Sequence, residues 1–153
     1  MILLEEISKY LKTEFLHLNP AEALRGDPNI LLGTSDESSK LLKELNVESV
    51  FDLALSNIFN NAEKLLQSGI NSNDVLRRFG SVPSDIINKK TKSHDISSLP
   101  FESVSVLTGV EDRIAEDMNQ IMDVKTIRDL ALWPPYHAAK QIFKNIYVPN
   151  DFS

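Results

Sequence analysis

The 153 residues, 42% hydrophobic and 25% charged, suffice for one ordinary domain or two very small ones, and a chain so composed is expected to fold. The absence of cysteine excludes disulfides, thiolate nucleophiles and Cys-ligated zinc. A formal net charge of -6 favours solubility and weighs against a dedicated phosphate-binding surface, which needs clustered Lys and Arg.

The chain opens with MILLEEISKYLKTEFLHL, in which Leu4, Ile7, Leu11, Phe15 and Leu18 fall on one helical face. This spacing predicts an N-terminal amphipathic helix that Asn19-Pro20 ends. Glu5, Glu6, Lys9 and Lys12 interrupt the apolar start, unlike the basic and apolar regions of a signal peptide. No stretch reaches the ~20 apolar residues of a spanning helix. A cytoplasmic protein without membrane attachment is the expectation.

The next segments are best read against each other. Residues 46–66, NVESVFDLALSNIFNNAEKLL, align with residues 123–143, DVKTIRDLALWPPYHAAKQIF, at a spacing of 77 (124 minus 47). Asp52-Leu53-Ala54-Leu55 falls on Asp129-Leu130-Ala131-Leu132, Phe59 on Tyr136, Ala62 on Ala139 and Leu65 on Ile142. Leu41 and Leu45 meet Met118 and Met122, and one inserted residue brings Leu32-Gly33 onto Thr108-Gly109. The shared positions are mainly apolar, as expected of two copies that bury the same face.

Each copy predicts three helices. Thr34 with Glu37 fits a capping box at the start of the first helix of the first copy. Asn46 and Asp123 stand where that helix stops, and both types tolerate a left-handed backbone. Ser49 and Thr126 suit the N-cap of a short second helix, and the third starts near Asn57 and at Pro134-Pro135. Between the copies, residues 73–79 and 84–88 read as short helices, and the polar run 89–98 reads as a linker. FESVSVL, residues 101–107, is the one stretch where a strand is conceivable. The expected fold is all-α, with an N-terminal segment 1–27, a first helical unit with basic linker 28–95 and a second unit 96–153.

The order Leu-x-Gly, helix, Met-Asp-Val-x-Thr-Ile-x-Asp-Leu-Ala, helix resembles the helix-hairpin-helix superfamily and its small helical, SAM-like relatives. The resemblance covers both copies, about half of the chain. It implies a helical fold and either DNA binding through a Gly-rich hairpin or a protein-interaction role in members without that hairpin. Here the turns read Leu45-Asn46-Val47 and Met122-Asp123-Val124, with no Gly-apolar-Gly. Without glycine the backbone does not readily approach a phosphate, and Asp123 repels one. The fold carries over, and the DNA-binding activity does not.

Catalytic patterns are missing from the sequence. His17, His94 and His137 lack metal-type partners at helical spacing, and there is no nucleophile elbow or phosphate-cradling glycine loop. Glu111, Asp112, Glu116 and Asp117 form the densest acidic group, a pattern that could hold a cation but better fits acids complementing the positive end of a helix. The expectation is a non-enzymatic interaction or scaffold module without cofactor or metal, working with a protein partner. Trp133, Pro134, Pro135 and Tyr136 are its expected contact site, a Pro-held aromatic pair of the kind enriched in binding hot spots. The alternative is nucleic-acid binding through Arg77, Arg78, Lys89, Lys90 and Lys92, the net-basic region of the chain.

Overall fold

A computed structural model describes residues 7–70, 87 and 96–147 of the chain. Every regular element among them is helical, and β pairing is limited to isolated bridges: Leu11 with Leu31, Ile87 with Leu107, and Ser103 with Thr126. The chain divides into two compact units. Unit 1 holds residues 1–56 together with 133–153, and unit 2 holds residues 57–132.

In unit 1 the apolar stripe does not continue as one helix to Leu18. The chain turns after Ser8, where the Tyr10 N–H donates to the Ile7 carbonyl, and then pairs with a later segment. The Lys12 N–H donates to Ile30 and the Leu32 N–H to Tyr10, both at 2.9 Å. This ladder satisfies the backbone that a helix would otherwise have satisfied internally. Ile7 and Leu11 stay buried, whereas Leu16 is exposed. Asn19 does mark a boundary, but it opens helix α1 (Pro20–Arg25): its side chain accepts from the Glu22 N–H while Glu22 bonds back, a complete capping box.

A 3-10 turn, Pro28–Ile30, leads to Gly33, whose φ of +89° is a left-handed conformation suited to glycine. Helix α2 (Asp36–Glu44) is capped by Ser35, not Thr34. The Ser35 hydroxyl accepts from the Ser38 N–H, and Thr34 Oγ1 instead donates to the Leu31 carbonyl. Thus Ser38, not Glu37, completes the box. Asn46, at φ +65°, ends α2, and the Val47 N–H donates to the Leu42 carbonyl as in a Schellman motif. Helix α3 (Val50–Ala54) comes next, with Ser49 accepting from the Asp52 N–H at its start. Lys43 and Asp27 form an ion pair of 2.8 Å between α2 and the turn before it. Burial pushes the Asp27 carboxyl up, but the Lys43 ammonium and the Asn29 N–H outweigh this and hold it below the usual range.

The last helix of the chain, α7 (Pro134–Tyr147), packs in unit 1 against α1 and α3. Its buried face is Pro135, Tyr136, Ala138, Ala139 and Ile142, at helical spacing. Pro135 lies against Gly33, where an added Cβ would meet the ring at 3.4 Å.

Unit 2 contains α4 (Asn57–Ile70), two 3-10 helices (Ile96–Phe101 and Val104–Val106), α5 (Asp112–Asp117) and α6 (Ile127–Ala131). The last three residues of the expected linker, 96–98, therefore belong to a helix, and no strand forms in 101–107. Helix α4 packs against Ile96–Phe101 and α6, burying Phe59, Ala62 and Leu65. Gly109, at φ +93°, has Ile58 beside it at 3.5 Å from the position of an added Cβ. Helix α5 widens into a π turn, Met118–Met122, before Asp123 stops it at φ +57°. Thr126 then caps α6 by accepting from the Asp129 N–H. Burial raises the Asp129 carboxyl, but the Thr126 and Lys125 N–H groups outweigh it and leave the group below its ordinary value.

Candidate interaction surface

Of the expected contact residues, only Pro134 is exposed. Trp133 is 5% exposed, Tyr136 0%, and Pro135 is buried with them. The Trp133 carbonyl accepts from the Tyr136 N–H at 3.1 Å, so the Trp starts α7. The Tyr136 ring carries the Lys140 ammonium at 5.2 Å and His137 at 5.8 Å between ring centres. A Pro-held aromatic pair serves a core as readily as a surface, and here it seats a helix. Arg77, Arg78, Lys89, Lys90 and Lys92 lie outside the described residues, as do the expected helices 73–79 and 84–88 apart from Ile87.

The acidic group sits on the exposed side of α5, with Arg113 paired to Asp117 at 3.3 Å. Asp112 and Glu116 line a shallow hollow of about 280 Å³ with Ser103, Ser105, Asn119 and Lys125. Among the described residues no three His, Asp or Glu side chains are grouped to hold a metal ion. His17 is exposed at the end of the N-terminal segment, and His94 lies outside the described residues.

A different surface in unit 1 has the chemistry of a contact site. An open cleft of about 410 Å³ runs between α1, the start of α3 and the end of α7. Ala21, Leu24 and Arg25 form one wall, Ser49 and Phe51 another, and Ile146 and Tyr147 the third. Helical spacing places these groups together: residues 21, 24 and 25 share one face of α1, and Phe143 and Tyr147 stand one turn apart on α7. Phe143 packs on Tyr147 at 4.8 Å and on Phe51 at 5.8 Å, and Tyr147 meets the edge of Phe51 at 6.2 Å. This packing holds the Tyr147 ring in place while leaving it 57% exposed. Arg25 is exposed at the rim, so an apolar floor adjoins a fixed positive charge.

Sequence reading missed this site because its residues come from three separated segments, each ordinary alone. The usable signal is the aromatic pair Phe143 and Tyr147 at i, i+4 near the end of α7.

Other large apolar side chains that reach solvent are Leu16, Leu32, Leu55, Phe101, Ile121 and Leu132, with Phe101 70% exposed. Leu55 and Leu132 each succeed a short helix immediately before a long one. Among the described residues no helix is long and apolar enough to cross a membrane. No protein-family model, curated protein or solved structure matches the chain, so the reading of the cleft rests on its own geometry.

Proposed function

We propose that the chain is a non-enzymatic protein-interaction or scaffold module made of two diverged copies of one helical unit, and that the cleft beside Tyr147 receives a protein partner. The observation that carries the docking reading is an aromatic side chain kept exposed by packing on two others, next to an exposed arginine. Tyr and Arg are the residue types over-represented where binding energy concentrates, and a ring already immobilised loses little entropy on binding. The partner that fits is a segment with an apolar side chain for the floor and a carboxylate for Arg25.

Support for duplication comes from the recurrence of local structure. Pro20–Arg25 and Ile96–Phe101 begin 76 positions apart (96 minus 20), as do the turns Pro28–Ile30 and Val104–Val106. The bridges Leu11–Leu31 and Ile87–Leu107 keep that spacing at both ends. From Asn46 and Asp123 onward the spacing is 77 (123 minus 46), through the caps Ser49 and Thr126 to the 14-residue helices α4 and α7. The extra residue falls within α5, which is the helix carrying the π turn.

The cleft is tested by placing a photo-crosslinking phenylalanine analogue at Tyr147 and, as a control, at the exposed Glu37. A discrete adduct from Tyr147 alone, lost on Arg25→Glu, is expected. Equal labelling from both positions, or none from Tyr147, removes the cleft as the docking site.

A further inference from the structure

The third helix of each sequence half packs chiefly on elements of the other half. Helix α4 succeeds α3 after only Leu55 and Ser56, yet it belongs to unit 2, seated on Ile96–Phe101 and α6. Helix α7 succeeds α6 after only Leu132 and Trp133, yet it belongs to unit 1, seated on α1 and α3. The two seats are alike in detail. Each presents a left-handed glycine to the second residue of the incoming helix, Gly33 to Pro135 and Gly109 to Ile58. Each also receives a fully buried aromatic ring, Tyr136 in unit 1 and Phe59 in unit 2.

We propose that residues 7–70 and 96–147 are two halves that recognise each other by reciprocal exchange of their third helices. The helix seat of each half is an interaction surface, and the partner that fits it is the third helix of the other half. Neither half closes a unit by itself. Without the exchanged helices, α1 and α3 would lose the helix they pack against, and α4, with Phe59, Ala62 and Leu65 on its buried face, would lack its seat. Removing that much apolar surface from water is the driving force for the halves to stay paired. The register of the two proposed copies serves only to choose a control, and the exchange is independent of what the Tyr147 cleft binds.

The test cuts the full-length folded chain at a site-specific protease sequence placed between Lys92 and Ser93. The two fragments should co-elute on size exclusion at the mass of the uncut chain. Because the protein has no cysteine of its own, engineered pairs report helix placement directly. Ile58→Cys with Gly109→Cys spans the cut, so oxidation should keep the fragments together on a non-reducing denaturing gel. Ile58→Cys with Gly33→Cys lies within one fragment and should leave two separate bands without an internal cross-link. Fragments that elute apart, each folded, would overturn the exchange, as would a disulfide in the second pair but not the first. If a cysteine variant fails to fold, elution of the cut cysteine-free chain decides alone.

Discussion

At Tyr136 the phenol ring is fully buried in unit 1, and two residues earlier Pro134 stands in solvent at the first position of the same helix. The two therefore answer to different physics. Tyr136→Ala removes a ring from a packed seat and leaves a cavity, which costs about 3–5 kcal/mol by analogy with large aromatic truncations in other cores. Pro134→Ala gives up only the pre-set backbone angle of a first-turn proline, about 1 kcal/mol or less. Urea unfolding of both variants checks this: similar midpoints would place Tyr136 outside the core. The same contrast explains why WPPY reads as a contact site in sequence. Aromatic type beside proline does not reveal which way the rings face, and the seat they fill is built from residues more than eighty positions earlier, around Gly33, α1 and α3.

Helix α5 with its π turn runs from Asp112 to Met122 before a left-handed Asp123, whereas α2 runs from Asp36 to Glu44, then Leu45 and a left-handed Asn46. The path through α5 is one residue longer, and a π turn is how a helix absorbs one extra residue while the downstream side chains keep their facing. Deleting the exposed Gln120 should therefore let the turn close as ordinary α-helix, with stability changed by about 1 kcal/mol or less. Deleting the exposed Lys40 from α2 has no such slack. It rotates Leu41 and Leu42 off the buried face and should cost more than about 3 kcal/mol. Thermal melts of the two deletion variants, monitored by circular dichroism, compare them; an equal loss would mean that the π turn holds no spare residue. Much at this scale is legible in sequence because the deciding atoms are neighbours. Asn46 and Asp123 stop their helices, Ser49 and Thr126 cap the next, and α4 and α7 start at Asn57 and Pro134 as spacing predicts. Where the deciding atoms are distant, the reading fails. The N-terminal stripe has helical period, but Tyr10 and Lys12 find backbone partners at Leu32 and Ile30 respectively, and the chain turns instead. At the start of α2 the local reading is one residue off: Ser35, not Thr34, accepts from the Ser38 N–H, and Thr34 Oγ1 donates to the Leu31 carbonyl.

Over the whole molecule, each unit draws on both halves of the sequence, and this shapes how the chain loses its structure. Phe59 lies in unit 2, and Trp133, the single tryptophan, lies in unit 1. If the units were independent domains on separate stretches of chain, emptying the Phe59 position would lower the melting of unit 2 and leave the Trp133 signal where it was. Exchange couples them instead. When α4 leaves its seat, α6 loses a packing partner, and only Leu132 and Trp133 separate α6 from α7. Phe59→Ala should therefore remove about 3–5 kcal/mol and lower the midpoint by on the order of 10 °C for a chain of this size. The shift should be the same by far-ultraviolet circular dichroism and by Trp133 fluorescence, the coincidence expected of one cooperative transition. An unshifted fluorescence midpoint beside a lowered dichroism midpoint would mean that the two units unfold separately. It would also mean that the third helices hold their seats without binding the halves into one folding unit.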